Sequence, residues 1–284
     1  MKRILANGFE VPCIGYGTFP LKDELVETLP LAVRAGYRLV DASDNYGNEK
    51  QVGAGLAAAG AASNDVVVVT KFSRPARTRE FAKLFRASCA KVGGRIDVYL
   101  LHWPYPFLWK RQWRIMEDLY LAGACKAIGV CNFDRRRLEK LLRFCRVKPM
   151  IDQFERHPLF QQEETAAFCR ANGIQVMSYS PFARMDPALM ENPVLKEIAA
   201  AHGKTVGQVI LRWNIEHGDM PIPASKSPAH MTANLEVFDF TLAPEEVARI
   251  DALEAGHRVR FDPDKRFTFS QKMRFLWERI RCHG

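Results

Sequence analysis

Short apolar runs alternate along the chain with longer segments whose apolar residues recur at helical spacing. Residues 65–71 and 96–102 are typical of the apolar runs, and residues 22–35 and 78–92 are typical of the helical segments. Strands that are apolar throughout favour a parallel sheet covered by helices. The alternation repeats about eight times without a break in composition, which predicts one α/β domain, residues 1–284, built as a closed (β/α)8 barrel.

Both ends of the chain lie outside this pattern. Residues 1–13 predict a short β-hairpin that turns at residues 6–8. The tail, residues 256–284, contains one segment of helical spacing, with Ser270 as its predicted N-terminal cap. We expect this helix to pack against the barrel or to border a binding pocket; a membrane-surface or partner-binding helix is the less favoured alternative. Its predicted apolar face consists of Met273, Leu276, Trp277 and Ile280.

Composition limits the cellular setting of the protein. Apolar residues make up 48% of the 284 residues, which is enough for a large core. No run of about 18 apolar residues indicates a membrane span, and the first residues do not resemble a secretory signal peptide. The seven cysteines are scattered without a CxxC pair, which favours free thiols over disulfides or a metal site. We therefore expect a cytoplasmic protein, monomeric or weakly associated, with no metal and no membrane partner.

The formal net charge of +9 leaves two classes of anionic partner open. A basic surface is compatible with nucleic-acid binding, but no nucleic-acid-binding motif accompanies it. An anionic small molecule, such as a phosphorylated cofactor, explains the charge equally well. We expect no nucleic-acid partner.

Polar side chains stand where the predicted strands end. In a parallel barrel the carboxyl ends of all strands meet at one mouth, so these side chains are predicted to lie together. Any one of them has a structural explanation, because a polar residue must follow wherever a strand leaves the core. A lysine or histidine directly after an apolar strand is nevertheless costly to bury without a partner, so the whole set predicts a functional site. Its members are Asp41, Lys71, His102, Asn132, Gln153, Tyr179 and Ser225.

Several motifs on this framework resemble those of the aldo-keto reductase family, from about residue 7 to residue 255. The segment GYRLVDASDNYGNEKQVG, residues 36–53, is similar throughout to the first signature of the family. Four further segments are similar to family motifs: GVCNF at 129–133, DQFERHP at 152–158, SYSPF at 178–182 and residues 222–240. Within the family, the chain resembles the bacterial diketogluconate reductase-like branch. The resemblance implies a TIM barrel that binds NADPH, or alternatively NADH, across its carboxyl-terminal mouth.

A competing dinucleotide motif lies inside the same region. Residues 53–58, GAGLAA, fit the pattern GxGxxA, which binds a pyrophosphate only where it follows a strand and opens a helix. Here the glycines fall within a helix that is predicted to begin near Gly47. We interpret them as small residues that allow close helix packing.

The resemblance also implies a catalytic tetrad of Asp41, Tyr46, Lys71 and His102. Carbonyl reduction needs a proton donor, and a free tyrosine, with a pKa near ~10, is a poor one at neutral pH. The ammonium of Lys71 is expected to lower the pKa of Tyr46, and Asp41 is expected to hold Lys71 in place. His102 is expected to hydrogen-bond the carbonyl oxygen and orient the substrate.

The remaining site assignments follow from the resemblance. Asn132 and Gln153 match positions that hold the nicotinamide carboxamide, and Tyr179 matches the aromatic residue that stacks on its ring. Phe19, Trp103 and Tyr105 are expected to wall an apolar substrate pocket, with ordinary loop packing as the alternative. The full set of implied cofactor positions is Thr18, Cys131, Asn132, Gln153, Tyr179, Ser180, Phe182, Ser225, Lys226, His230 and Asn234.

Some positions differ from the family pattern. Cys131 replaces a serine, and Asp152 stands where asparagine is common. Ala224 and His230 occupy positions where lysine and arginine often bind the adenosine 2′-phosphate, which weakens the expectation of an NADPH preference. Lys226 is a partial substitute. The sequence thus predicts an NAD(P)H-dependent reductase of aldehydes or ketones; the alternative is a non-catalytic, cofactor-binding regulatory subunit on the same barrel.

Overall fold

The computed structural model describes residues 1–74, 78–265 and 267–281. Strands β1 (Lys2–Ile4) and β2 (Glu10–Pro12) form the predicted antiparallel hairpin, which turns through Gly8 with a φ of 84°. A parallel sheet follows, whose strands are β3 (Tyr16–Gly17), β4 (Leu39–Asp41), β5 (Val67–Phe72), β6 (Val98–Leu101), β7 (Ala127–Cys131), β8 (Ile151–Glu155), β9 (Gln175–Tyr179) and β10 (Met220–Pro221).

Helices connect these strands on the outside of the sheet. Those of the first half are α1 (Leu25–Ala35), α2 (Glu49–Ala58), α3 (Thr78–Lys91), α4 (Trp109–Leu121) and α5 (Arg135–Leu142). Those of the second half are α6 (Glu163–Ala171), α7 (Pro187–Met190), α8 (Pro193–His202), α9 (Val206–Glu216), α10 (Pro228–Leu235), α11 (Pro244–Asp251) and α12 (Phe269–Arg281).

Backbone hydrogen bonds close the sheet into a barrel. From β3 to β10 the strands lie side by side in chain order and pair in parallel. The N–H groups of Gly15 and Gly17 then donate to the carbonyls of Pro221 and Pro223, both at 3.0 Å. Position 17 must be glycine for this approach, because a Cβ there would lie 2.6 Å from the carbonyl oxygen of Ile222. The predicted (β/α)8 barrel is confirmed.

The inside of the barrel is apolar below its mouth. Leu39, Val69 and Leu100, from three neighbouring strands, belong to one buried cluster there. The hairpin adds Leu5 and Val11 to the same cluster, so it covers the amino-terminal end of the barrel. A larger cluster lies outside the strands, where the helices cover them. The carboxyl-terminal end is therefore the end at which a site can open.

Helix α2 packs against its neighbours through glycines. A Cβ at Gly53 would lie 2.0 Å from the carbonyl oxygen of Lys91 at the end of α3, and one at Gly55 would lie 2.7 Å from the carbonyl oxygen of Leu25 in α1. Both glycines lie inside the helix rather than at its start. This packing explains the GAGLAA segment without a bound dinucleotide.

The tail differs from its prediction in two details. Helix α12 begins at Phe269, and the cap is Thr268, which exchanges hydrogen bonds with Gln271, rather than Ser270. Among the described side chains of α12, Phe275 is the buried one, whereas Leu276 is half-buried and Met273 is 37% exposed. Phe275 packs edge-on against Tyr105 at 5.6 Å between ring centroids, so α12 does pack on the barrel. The predicted contacts of Trp277 and Ile280 lie outside the described side chains.

No helix within the described part of the chain is long and apolar enough to cross a membrane.

Candidate active site

The strand alternation carries polar side chains to the barrel mouth. Leu39, Val69 and Leu100 point inward, and side chains two residues further along a strand point the same way. Asp41, Lys71 and, just past β6, His102 therefore converge, and the parallel registers place Cys131 beside Gln153 on the opposite wall. The prediction that strand-end residues meet at one mouth agrees with this geometry.

Lys71 is the centre of the cluster. Its side chain is fully buried, and its Nζ donates to Asp41 Oδ2 at 2.6 Å and to the carbonyl of Ala42 at 2.8 Å. The third contact of Nζ is the Tyr46 hydroxyl, at 3.1 Å. The three donors of an ammonium are thus all engaged. Gln153 Nε2 donates to Asp41 Oδ1 at 2.8 Å, so both carboxylate oxygens are also held.

Burial and charge oppose each other at Tyr46. Burial, with a contribution from the Asp41 carboxylate, raises the pKa of Tyr46 to about 12, although the Lys71 ammonium acts to lower it. Lys71 therefore acts in the expected direction, but in this structure desolvation of the phenolate outweighs the attraction of one ammonium. Burial also acts to lower the pKa of Lys71, but Asp41 and Tyr46 raise it overall, so Lys71 stays charged. Tyr46 stays protonated and can donate.

His102 is oriented by two serines that the sequence did not single out. Its Nδ1 lies 3.0 Å from Ser43 Oγ and also hydrogen-bonds Ser73 Oγ. The two hydroxyls lie 3.0 Å apart. The imidazole ring meets the Tyr46 ring edge-on, with centroids 5.7 Å apart. The serines stand in the loops after β4 and β5, so no spacing rule marks them.

The opposite wall contains the amide and aromatic residues. Asn132, with a left-handed φ of 62°, donates from Nδ2 to the His102 carbonyl and accepts from the Tyr179 hydroxyl at 2.8 Å. Cys131 is completely buried, and burial raises the pKa of its thiol well above the usual value. Tyr179 is held by Asn132 with its ring at the mouth, where a flat group can stack on it.

A pocket opens above these groups. Phe19 and Trp103 line it as predicted, but Tyr105 does not, because it packs against Phe275 and donates its hydroxyl to the carbonyl of Ser73. The lining residues are Gly17, Phe19, Asp41, Asn45, Tyr46, His102, Trp103, Asn132, Tyr179, Ser180, Ile222, Arg260 and Phe261. Arg260 and Phe261 come from the tail, in which the sequence offered no motif to find them.

Two predicted cofactor residues are engaged inside the fold. Thr18 is buried, donates its hydroxyl to the Asp41 carbonyl and accepts from Asn48 Nδ2. Phe182 lies beside Gly207 at the start of α9 and packs on the apolar cluster there. Ser180, which directly follows Tyr179 in the chain, does line the pocket; its backbone is left-handed, with a φ of 50°.

The segment before α10 lies beside the barrel closure. Ser225 carbonyl accepts from the Tyr16 hydroxyl at 2.6 Å, which fixes the segment to β3. Lys226 Nζ lies 2.5 Å from Glu24 Oε1, and this contact is the main cause that lowers the pKa of Glu24 to about 2. His230, in the first turn of α10, is exposed, as is Ala224, whereas Asn234 is buried.

Asp152, the other departure from the family pattern, does not face the site. It precedes the inward-facing Gln153 on β8 and therefore points outward, towards the helices, where it is fully buried. Burial raises the pKa of its carboxyl well above the usual value. Burial therefore favours the protonated form of Asp152 in the helix layer.

Comparison with known proteins agrees with this barrel fold. The model of the aldo/keto reductase family matches residues 13–255. The chain belongs to the aldo/keto reductase family and is an oxidoreductase. The resemblance stated from the motifs is confirmed.

Similar proteins cover nearly the whole chain. Glyoxal reductase of Bacillus subtilis is 38% identical over 265 residues, which are 92% of this chain and 95% of that protein. 2,5-Diketo-D-gluconic acid reductase B of Corynebacterium sp. is 38% identical over 255 residues, 88% and 92% of the two chains. The crystal structure of a Bombyx mori aldo-keto reductase in complex with NADP superposes with a TM-score of 0.89 at 31% identity, covering 93% and 96%.

Proposed function

We propose that this protein reduces small aldehydes or ketones to alcohols with NADPH, and that Tyr46 donates the proton. The observation that carries this proposal is the Lys71 ammonium, which joins the Asp41 carboxylate and the Tyr46 hydroxyl in the floor of the pocket. A buried ion pair usually stabilises a fold no more than apolar residues of similar size would, so this lysine and its two partners are better explained by a catalytic role. Relatives named glyoxal reductase and diketogluconic acid reductase support the reaction class.

The residues of the mouth suit a nicotinamide cofactor. Tyr179 offers a ring face, Asn132 offers an amide, and Ser180 offers a hydroxyl at the same wall. The N-terminus of α10, capped by Ser227, and Lys226 beside it suit an anionic phosphate. The reduced nicotinamide supplies the hydride when it is bound.

Tyr46 delivers its proton to the carbonyl oxygen as negative charge develops there. The neighbouring Lys71 ammonium stabilises the phenolate left behind, and Asp41 keeps that ammonium in position. Because Asp41 and Lys71 neutralise each other, the pocket floor carries no excess negative charge that would oppose the oxyanion. His102, fixed by Ser43 and Ser73, hydrogen-bonds the carbonyl oxygen and orients the substrate.

The wall of Phe19 and Trp103 gives the pocket an apolar side for the rest of the substrate. Phe19 lies 5.1 Å from Tyr46 between ring centroids, and Trp103 stacks on His102 at 5.5 Å. These aromatic rings exclude water around the reacting carbonyl, which strengthens the electrostatic interactions in the pocket.

Turnover tests the proposal against the alternative of a cofactor-binding regulatory protein. The purified chain is mixed with NADPH and either methylglyoxal or para-nitrobenzaldehyde, and loss of the reduced cofactor and formation of alcohol are followed. The proposal predicts many alcohol molecules per protein molecule. Binding of NADPH is followed by quenching of tryptophan fluorescence. If NADPH binds but neither methylglyoxal nor para-nitrobenzaldehyde is reduced, the alternative of a regulatory protein is favoured.

A further inference from the structure

The part of the tail that reaches the pocket is fixed by the body of the protein. His257 Nε2 lies 2.8 Å from Asp186 Oδ2. The backbone N–H groups of Val259 and Arg260 donate to the two carboxylate oxygens of Glu155, at 2.6 and 3.0 Å. Glu155, at the end of β8, is completely buried. Because this buried carboxylate binds two consecutive N–H groups, it fixes the backbone position from which the Arg260 side chain extends.

The Arg260 side chain lies along the aromatic wall. Its guanidinium carbon is 4.7 Å from the Phe19 ring centroid and 5.9 Å from that of Phe261, and all three residues line the pocket. Stacking uses the face of a guanidinium and leaves the N–H donors at its edge for another partner. Since Phe19 also contacts Tyr46, the guanidinium and the proton donor share one neighbour.

Arg260 has no acidic partner among the side chains that the structure describes. Asp41 is the one carboxylate among the lining residues of the pocket, and Lys71 already neutralises it. Among the described side chains that line the pocket, the positive charge of Arg260 is therefore not balanced by a carboxylate. A guanidinium matches the geometry of a carboxylate with two parallel hydrogen bonds, so Arg260 is suited to bind an anionic ligand.

We propose that Arg260 binds the carboxylate of the substrate, so that the preferred substrates are aldehydes or ketones that carry an acid group. The inference rests on the proposed function, because it places the substrate carbonyl at Tyr46 and His102. The shared contact with Phe19 indicates a short spacer between carbonyl and acid, such as one benzene ring or a short carbon chain. The competing assignment for the guanidinium is a phosphate of the cofactor.

The test compares para-carboxybenzaldehyde with para-carbamoylbenzaldehyde, which has the same shape without the charge. In the unmodified protein, kcat/KM is expected to be higher for the acid, and added salt is expected to reduce the difference. Arg260→Met should lower kcat/KM for the acid about tenfold to a hundredfold, mostly through KM, and the loss should exceed that for the amide at least tenfold. Arg260→Lys should keep part of the preference, because it keeps charge but not the fork.

Arg258→Met is the matched control. Arg258 lies two residues away and stacks on Phe160 at 4.3 Å, outside the pocket lining, so removal of its charge should leave the acid preference intact. Equal losses for acid and amide in Arg260→Met would overturn the inference, and so would a weaker affinity for NADPH with an unchanged KM for the acid. Failure to reduce either aldehyde would instead contradict the proposed function, so the two failures are distinguishable.

Discussion

Lys71 and Asp41 form a pair in which each residue depends on the other. Both are buried, and their 2.6 Å contact compensates the cost of removing two charges from water. The pair also sets the state of Tyr46, since Lys71 is the main cause that opposes the rise in the pKa of Tyr46. The residue types at strand ends were predictable from the sequence, because apolar runs cannot continue into a lysine without a partner.

Lys71→Met is expected to lower both activity and stability. The pKa of Tyr46 should rise further once the ammonium is gone, and the unpaired Asp41 carboxylate should cost about 3–5 kcal/mol of unfolding free energy. Turnover and urea unfolding measure the two effects. Asp41→Asn added to Lys71→Met removes the unpaired charge, so the double variant should regain stability but not turnover. Recovery of turnover in that double variant would mean that Lys71 is not needed to assist Tyr46.

The sequence could not predict the net shift in the pKa of Tyr46. The Lys71 ammonium was identifiable from its motif, but the opposing effect of burial depends on how completely the loops cover the hydroxyl. The prediction for Tyr105 failed for a similar reason. Its position in the loop after β6 indicated that it would form part of the pocket wall. The contact with Phe275, far along the chain, turned it instead towards α12.

The helices and strands followed their sequence patterns closely wherever the pattern was long. Helix α3 ends one residue before the end of the predicted segment 78–92, whereas α1 begins at Leu25, three residues after the predicted start at residue 22. The last strand has two residues, because Pro221 and Pro223 offer no N–H groups to a ladder. The pairing partners of a short strand are set by the closure of the barrel and not by its own residues.

Gly53→Ala tests the packing role of the GAGLAA segment in α2. The added methyl group meets the backbone of Lys91, which cannot yield easily, so the variant should lose about 1–3 kcal/mol of unfolding free energy. Thermal or urea unfolding measures the loss. Gly207→Ala is the control, because a Cβ there has ordinary contacts of 3.5 Å or more inside α9, and alanine favours a helix. The affinity of Gly53→Ala for NADPH should not change; a specific loss of affinity would revive the dinucleotide motif.

Across the whole molecule, the first and last parts of the chain meet beside the mouth. β3 and β10 close the barrel, and the Glu24–Lys226 ion pair joins the residue before α1 to the segment before α10. The tail reaches the same region at Arg260, which lines the pocket and packs against Phe19. Contacts between residues more than 200 positions apart carry no local sequence signal, so neither the ion pair nor the pocket contact of Arg260 was predictable.

The ion pair leads to a prediction about the choice of cofactor. If Lys226 binds the 2′-phosphate of NADPH, Glu24 competes with that phosphate for the ammonium. Glu24→Gln should therefore tighten NADPH by up to about fivefold at low salt and leave NADH unchanged. Cofactor titration by protein fluorescence measures both affinities. Glu27→Gln, an exposed acid in the first turn of α1, is the control for a general change in charge. Equal tightening of both cofactors in Glu24→Gln would show that Lys226 does not select the phosphate.

The proposed function depends above all on proton transfer from the Tyr46 hydroxyl to the carbonyl oxygen. Tyr46→Phe removes the hydroxyl and keeps the ring that packs against Phe19 and His102. The most direct measurement is the rate of NADPH oxidation by para-nitrobenzaldehyde in this variant, with the affinity for NADPH determined on the same sample. We expect a rate about 10²–10⁴-fold below that of the unmodified protein, with cofactor affinity preserved, if Tyr46 is the proton donor. A rate close to that of the unmodified protein would contradict this role of Tyr46.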